Sequence, residues 1–253
     1  MTIGQQSPIS IFLILILSIF LRILAYIIGY PLFHLVLKIK VEGRENLPPK
    51  GEPLIIVCNH FSWFEAPLLY GKLPYDIIYL GSAEVWEHPI GKLLAKAFKA
   101  IPIHRGRPER EALKQSLQVL KDGGVLGIFP EAGIDPELRD LTDAGHSIAD
   151  IQGQRSRIPP RLIPARPGAA YFAIRSDAKI LPTAVLNGEY ILSNLRKLKR
   201  TPVTLIIGQP FGPLTLDKTI KGSAKRDAID ALGDKMMYHI AELLPPEQRG
   251  PYS

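Results

Sequence analysis

The chain has 253 residues and a net charge of +7, and its 46% hydrophobic residues are enough for a packed core. This composition excludes a disordered chain, and 22% charged residues exclude a membrane protein with many spans. The single cysteine, Cys58, excludes both an internal disulfide and a zinc site of paired cysteines, and we predict no metal site. The charge is unevenly distributed, because Arg22 is the only Asp, Glu, Lys or Arg in residues 1–37.

Residues 9–37 are an apolar stretch that is long enough to cross a bilayer once. A charged residue and two helix-breaking residues interrupt it: Arg22, Gly29 and Pro31. These interruptions favour a helical hairpin within one leaflet over a straight span, because the arginine can then reach the head groups. A buried helical arm of a soluble protein is the alternative.

Basic residues follow this stretch, namely Lys38, Lys40 and Arg44. Because positive charge flanks membrane segments on the cytoplasmic side, we expect the rest of the chain to face the cytoplasm. We therefore predict a membrane-embedded helical arm over residues 1–40 and a second domain over residues 41–253. The predicted location is the membrane, with a phospholipid bilayer as a partner.

The second domain alternates between short apolar runs and helical periodicity. In chain order the pattern predicts strands at 54–58 and 76–80, a helix at 84–100, an extended segment at 101–104, a helix at 108–122 and a strand at 125–129. A loop over 134–167 precedes a helix at 168–176, strands at 179–185 and 203–207, and a last helix at 223–243. This order predicts a single α/β domain with a mixed, largely parallel sheet flanked by helices.

A polar cluster follows the strand at 54–58, at the edge where open α/β sheets bind ligands. It contains His60, which can take a proton from a hydroxyl, and Glu65, whose carboxylate can hold the other ring nitrogen. Five residues correspond to about 140° on an ideal helix, so the two meet only if His60 precedes the helix and Glu65 lies in its first turn. The alternative is a histidine at a strand end beside an unrelated surface glutamate.

Two further segments end predicted strands with chemically useful residues. Residues 129–133 read Phe-Pro-Glu-Ala-Gly, which places Glu131 in a turn where it can bind a hydroxyl. Residues 103–106 read Ile-His-Arg-Gly, and the guanidinium of Arg105 can bind a phosphate. An ordinary turn and a solvated surface charge are the respective alternatives.

The ordered set of Asn-His-x4-acid, Pro-Ile-His-Arg-Gly, Phe-Pro-Glu and Leu-Pro-Thr-Ala-Val resembles the PlsC-like glycerolipid acyltransferases, which include the lysophosphatidic acid acyltransferases. The resemblance covers about residues 41–212. It implies transfer of a fatty acyl group from acyl-CoA or acyl carrier protein to the free hydroxyl of a lysophospholipid, such as 1-acylglycerol-3-phosphate. It implies no bound cofactor.

The resemblance also implies roles for individual residues. His60 would be the general base, and Glu65 would stand where the family has the aspartate that orients this histidine. Arg105 would contact the acceptor phosphate, and Glu131 with Gly133 would bind the acceptor glycerol. Asn59 completes the predicted substrate-binding residues.

The chain departs from the family at two points. Glutamate replaces the usual aspartate at position 65, and the arginine that usually follows the Phe-Pro-Glu-Gly segment is missing. Four arginines of the long loop are candidates to replace it: Arg139, Arg155, Arg157 and Arg161.

Two kinds of alternative function remain open at this point, a hydrolase and a non-enzymatic lipid-binding protein. A lipid hydrolase would use Ser62 or Cys58 as its nucleophile, but both are close in sequence to His60 and no Gly-x-Ser-x-Gly segment is present. A membrane-bound lipid-binding protein, or an inactive acyltransferase relative, would explain the two departures. Nucleic-acid binding is not predicted, because the chain lacks aromatic-basic and helix-turn-helix patterns.

Overall fold

The structure is a computed structural model that describes residues 30–86, 98–103, 110–134, 156–217 and 219–253, with a few isolated positions between residues 20 and 136. The strands in this part of the chain are β1 (Leu37–Glu42), β2 (Leu54–Cys58), β3 (Ile77–Ser82), β4 (Ile101–Ile103), β5 (Val125–Ile128), β6 (Lys179–Leu186) and β7 (Thr201–Ile207). The helices are α1 (Tyr30–Val36), α2 (Glu65–Lys72), α3 (Arg110–Lys121), α4 (Pro167–Ile174), α5 (Ile191–Arg196) and α6 (Gly222–Ala241).

The strands form one mixed sheet in the order β1-β7-β6-β2-β5-β3-β4. All neighbours run parallel except β6 and β7, which are antiparallel. The carboxyl ends of β2, β3, β4, β5 and β6 therefore lie along the same edge. Residues that follow these five strands are brought together there, which is the usual ligand edge of an open α/β sheet.

Apolar side chains cover both faces of the sheet, so the two cores lie on opposite sides of it. One core packs residues of α3, α4 and α6 against the sheet, and the other packs residues of α2 and α5. Every residue of β2 is buried, as expected for a central strand covered on both faces. This central position holds the end of β2 firmly where the polar cluster begins.

The predicted α/β class with a largely parallel sheet is confirmed, and most predicted elements occur within a few residues of their expected bounds. The predicted strand at 76–80 is longer and runs to Ser82. The predicted helix at 84–100 begins instead with a 3₁₀ turn at Ala83–Trp86, and most of its remainder lies outside the described residues.

The predicted boundary between arm and domain, after residue 40, falls inside β1. Leu37, Ile39 and Val41 alternate with charged residues along this strand, which pairs in parallel with β7. Most of the predicted arm lies outside the described residues. Among the residues that are described, no helix has the length and apolar character needed to span a bilayer.

Candidate active site

His60 and Glu65 are neighbours at the carboxyl end of β2. His60 lies two residues beyond the strand, and Glu65 is the first residue of α2, which is the arrangement that their spacing requires. The His60 Nδ1 atom is 3.2 Å from Glu65 Oε2. The Glu65 side chain is fully buried, whereas that of His60 is 18% exposed. A carboxylate at Nδ1 favours the tautomer with its proton there and leaves Nε2 as the basic ring nitrogen.

The Glu65 carboxylate is held by residues on both sides. The Ser62 backbone N–H donates to Oε2 at 2.9 Å, and the Ser62 hydroxyl donates to Oε1 at 2.7 Å. Gly188, just beyond β6, approaches so closely that a Cβ at this position would lie 2.9 Å from Glu65 Oε1. The longer side chain of glutamate therefore reaches His60 in this fold, and a glycine leaves the space that its carboxylate occupies.

An aromatic stack supports the imidazole. The His60 ring lies on Phe129 with centroids 4.0 Å apart and an interplanar angle of 16°. Phe129 is stacked in turn on Tyr79, and Gly127 leaves room for the Tyr79 ring, since a Cβ there would be 2.3 Å from it. The stack restrains the plane of the imidazole. Sequence patterns offered no sign of this role for Phe129 beyond its apolar character.

Asn59 is fully buried and connects two strands of the sheet. Its side-chain amide donates to the Val185 carbonyl at 3.1 Å and accepts from the Val185 N–H at 2.8 Å. These bonds hold the end of β2 against the end of β6, close to Gly188. The predicted contact of Asn59 with substrate stays a prediction.

The residues considered as alternative nucleophiles are both buried. Burial raises the pKa of the Cys58 thiol, and nearby carboxylates add to this more weakly. A thiol that stays protonated is a poor nucleophile, so Cys58 acts as a small core residue. The Ser62 hydroxyl donates to Glu65 and accepts from the Phe64 N–H at 3.2 Å. Its hydrogen bonds hold the carboxylate in place.

Glu131 follows β5 and is fully buried beside His60. Its Oε1 accepts from the His60 backbone N–H at 2.8 Å, and its Oε2 accepts from Arg157 and from the Ile163 N–H at 3.1 Å. Burial raises the pKa of Glu131, while the Arg157 guanidinium acts in the opposite direction. Within the described structure this carboxylate holds the His60 backbone, and its predicted contact with the acceptor stays a prediction.

Arg157 closes this network from the far end of the long loop. Besides the bond to Glu131, its guanidinium donates to the carbonyls of Gly133 at 2.7 Å, Ile134 at 2.7 Å and Arg161 at 2.8 Å. The residue is only 4% exposed. Four of its five N–H donors are used within the protein, so Arg157 stabilises the turn that contains Glu131 and Gly133.

The other candidate arginines are placed differently. Arg161 has an exposed side chain, whereas Arg139, Arg155 and Arg105 lie outside the described residues. Arg105 follows β4, which is three strands away from β2 in the sheet. Three strand spacings amount to about 14 Å, so the end of β4 lies well away from the end of β2. The structure brings His60, Glu65, Asn59, Glu131 and Gly133 together, and the role of Arg105 stays a prediction.

Glu189 is a further acidic residue at this edge, and the motifs did not indicate it. It follows Gly188 in a 3₁₀ turn and is buried, with no hydrogen-bond partner among the described residues for either carboxylate oxygen. Burial raises its pKa to about 7, and the charge of Glu65 contributes in the same direction. The Glu65 charge is therefore electrostatically coupled to a second carboxyl group that titrates near neutral pH.

The fold and this arrangement agree with a known class of enzyme. The chain matches the acyltransferase family over residues 38–186, which is more than half of its length. It belongs to this family, within the PlsC-like glycerolipid acyltransferases, and it is an O-acyltransferase. The match runs from β1 to the end of β6 and includes His60, Glu65, Asn59, Glu131 and Gly133, whereas Gly188 and Glu189 follow its last residue.

Comparison with individual proteins supports the same family. The chain is 29% identical over 175 residues to 1-acyl-sn-glycerol-3-phosphate acyltransferase of Bacillus subtilis, covering 68% of this chain and 73% of that one. It is 36% identical over 114 residues to lyso-ornithine lipid O-acyltransferase of Pseudomonas aeruginosa, covering 45% and 40% of the two chains. The crystal structure of PlsC from Thermotoga maritima has a similar fold, with a TM-score of 0.55 at 20% identity over 85% of this chain and 76% of that one.

Proposed function

We propose that the protein transfers a fatty acyl group from acyl-CoA or acyl carrier protein to the free hydroxyl of a lysophospholipid, with His60 as the general base. The observation that carries this proposal is the pairing of His60 Nδ1 with the buried carboxylate of Glu65, 3.2 Å away. The remaining ring nitrogen, Nε2, is then the atom that meets the acceptor hydroxyl.

The reaction needs one proton to be moved twice. His60 Nε2 takes the proton of the acceptor hydroxyl while the hydroxyl oxygen attacks the thioester carbonyl. Glu65 stabilises the imidazolium that forms. Backbone N–H groups stabilise the oxyanion of the tetrahedral intermediate. The C–S bond then breaks, the thiol leaves with the proton from His60, and the ester product remains. The reaction passes through no acyl-enzyme, so neither Ser62 nor Cys58 acts as a nucleophile.

We propose 1-acylglycerol-3-phosphate as the acceptor, with Arg105 as a ligand of its phosphate. The similarity to the Bacillus subtilis enzyme supports this choice, and the similarity to a lyso-ornithine lipid acyltransferase makes the head group the point to test. A lipid acceptor places the enzyme at a membrane. The apolar stretch that precedes β1 would form its arm, and the basic residues after it favour the cytoplasmic face.

The test uses the full chain in detergent with labelled acyl-CoA or acyl carrier protein and lysolipids that carry phosphate or ornithine head groups. We expect thioester-dependent acylation that His60→Ala abolishes. His239→Ala is the matched control. His239 also lies beside a glutamate, with Nδ1 3.4 Å from Glu242 Oε2, and it stacks on Phe211 at 3.9 Å. Phe211 pairs with Ile180 near the amino end of β6, away from the site.

Each result has a definite meaning. Full activity in His60→Ala would contradict the proposed mechanism. Product formation without a thioester donor would indicate hydrolase or transacylase chemistry. A preference for the ornithine lipid would leave the mechanism intact and overturn the proposed acceptor.

A further inference from the structure

Residues 195–200, which we name the basic tip, combine exposed leucines with a run of positive charge. The segment reads Leu-Arg-Lys-Leu-Lys-Arg and includes the end of α5 and the turn after it. Leu198 is 95% exposed and Leu195 is 43% exposed. Leu198 also has φ = 54°, a left-handed conformation that costs a residue with a Cβ about 1–2 kcal/mol. An ordered turn thus displays a leucine to solvent in an unfavourable conformation.

The turn is held in this shape by backbone hydrogen bonds. The Leu198 N–H donates to the Leu195 carbonyl at 3.0 Å, and the Lys199 N–H donates to the Asn194 carbonyl at 2.9 Å. The leucine is therefore presented by a defined turn at the end of α5. Neighbouring exposed apolar side chains, unlike single ones, are typical of surfaces that meet a membrane or a protein partner.

The charge of the basic tip is not balanced by acidic residues close to it in sequence. Four of its six residues are basic, and the sequence has no aspartate or glutamate from Tyr190 to Leu216. The preceding acid, Glu189, is buried. An anionic surface therefore complements this segment.

The basic tip is also joined to the start of the domain. The Arg200 guanidinium donates to the carbonyls of His34 at 2.6 Å and Leu37 at 3.0 Å, which belong to α1 and the first residue of β1. Leu35, on the same helix, is 70% exposed. Because the apolar residues 9–37 end here, the basic tip lies where the chain leaves its most apolar segment.

The same segment leads back to the site. The 3₁₀ turn Gly188–Tyr190 leads directly into α5, and its first residue, Gly188, lies against the Glu65 carboxylate. Trp63, between Ser62 and Phe64 in the same cluster, is 59% exposed. A surface contact at the end of α5 would therefore hold the ligand edge of the sheet near that surface.

We propose that the basic tip docks on an anionic phospholipid bilayer, with Leu198 among the lipid chains and its four basic residues at the phosphates. This inference rests on the proposed function, in which the acceptor is a membrane lipid, and it states which surface meets that membrane. An acidic protein such as acyl carrier protein also complements positive charge, but it does not account for exposed leucines beside an apolar arm.

The experiment places a fluorescent reporter at the basic tip of the full chain. Leu198→Trp is reconstituted in vesicles of phosphatidylcholine and phosphatidylglycerol, with some acyl chains brominated to quench tryptophan. We expect a blue-shifted emission and quenching well beyond that of the parent protein, which retains Trp63 and Trp86. Adding Lys197→Glu and Lys199→Glu should remove most of the extra quenching, because each basic residue contributes about fivefold to affinity for an anionic surface.

The matched control reverses two exposed basic residues of α6 in the same Leu198→Trp background. Lys225→Glu with Arg226→Glu makes the same change in net charge and should leave the quenching unchanged. Emission at residue 198 that stays solvent-like in vesicles would overturn the proposal, as would an equal effect of both charge reversals. A blue shift that appears only with acyl carrier protein would assign the basic tip to that protein. The readout needs no turnover, so it is independent of the His60→Ala result.

Discussion

Replacing Arg157 with methionine removes the guanidinium that faces the buried carboxylate of Glu131. We expect this change to lower the free energy of unfolding by about 3–5 kcal/mol near pH 8, the usual result of removing one partner of a buried ion pair. The variant also leaves the carbonyls of Gly133, Ile134 and Arg161 without the donors that they have in the native structure. In a protein of this size the loss corresponds to a fall in melting temperature on the order of 10 °C.

The loss should depend on pH because Glu131 can become neutral. Burial already raises its folded-state pKa above the unfolded value, and removing Arg157 raises it further. A carboxyl group with a raised folded pKa destabilises the fold as pH rises from the unfolded pKa through the folded one. The Arg157→Met variant should therefore be closer to the native stability at pH 5 than at pH 8. Adding Glu131→Gln should restore part of the stability at pH 8.

Thermal unfolding of the full chain in detergent, followed by circular dichroism at both pH values, measures these differences. Arg161→Met is the control, since it is the same substitution on an exposed side chain four residues away and should change stability by less than about 0.5 kcal/mol. Equal stabilities of the two variants, or the same loss for Arg157→Met at pH 5 and pH 8, would refute an ion pair with Glu131.

Three further predictions concern the carboxylates around His60. Glu65→Asp should lower kcat by about 10–100-fold in the acyl-transfer assay, because the shorter side chain withdraws from His60; unchanged kcat would contradict this geometry. Gly188→Ala should lower kcat and stability, because its Cβ would lie 2.9 Å from Glu65 Oε1, whereas Gly71→Ala in open space on α2 should do neither. Glu189→Gln should stabilise the protein by about 2 kcal/mol more at pH 8 than at pH 5 in thermal unfolding, because burial raises the native pKa to about 7; equal effects at both pH values would contradict a titrating Glu189.

Much of the fold followed from local patterns, because buried strands and amphipathic helices have distinct periodicities. The sequence does not separate the first strand from the predicted arm, because Leu37 continues an apolar run. The alternation of apolar and charged residues from Leu37 to Glu42 is the period-two signal that identifies it. The apolar stretch of residues 9–37 runs into β1, so the first residue of the strand cannot be distinguished from the stretch by its apolar character.

The site was predictable where its residues are close in sequence. The His60 and Glu65 spacing allowed contact under one geometric condition, which the start of α2 at Glu65 meets. Other residues reach the site from distant parts of the chain, and no local pattern specifies the path between them. Phe129 lies 69 residues after its partner His60, and Arg157 lies 26 residues after its partner Glu131. Four arginines of the long loop were equal candidates in the sequence, and only the packing distinguishes Arg157 from Arg161.

The structure separates basic residues that are buried against a carboxylate from basic residues that are exposed to solvent. Arg157 is buried against Glu131, so its charge is neutralised inside the protein and is not available to a lipid head group. The four basic residues of the basic tip are exposed, and no acid follows them until Asp217. Net charge alone cannot separate these cases, because an arginine that stabilises a buried carboxylate and one that meets a membrane count equally in it. Burial separates them. In the Leu198→Trp background, Arg157→Met should lower stability and leave the tryptophan quenching of the folded fraction unchanged. The pair Lys197→Glu and Lys199→Glu should lower the quenching and leave the melting temperature unchanged.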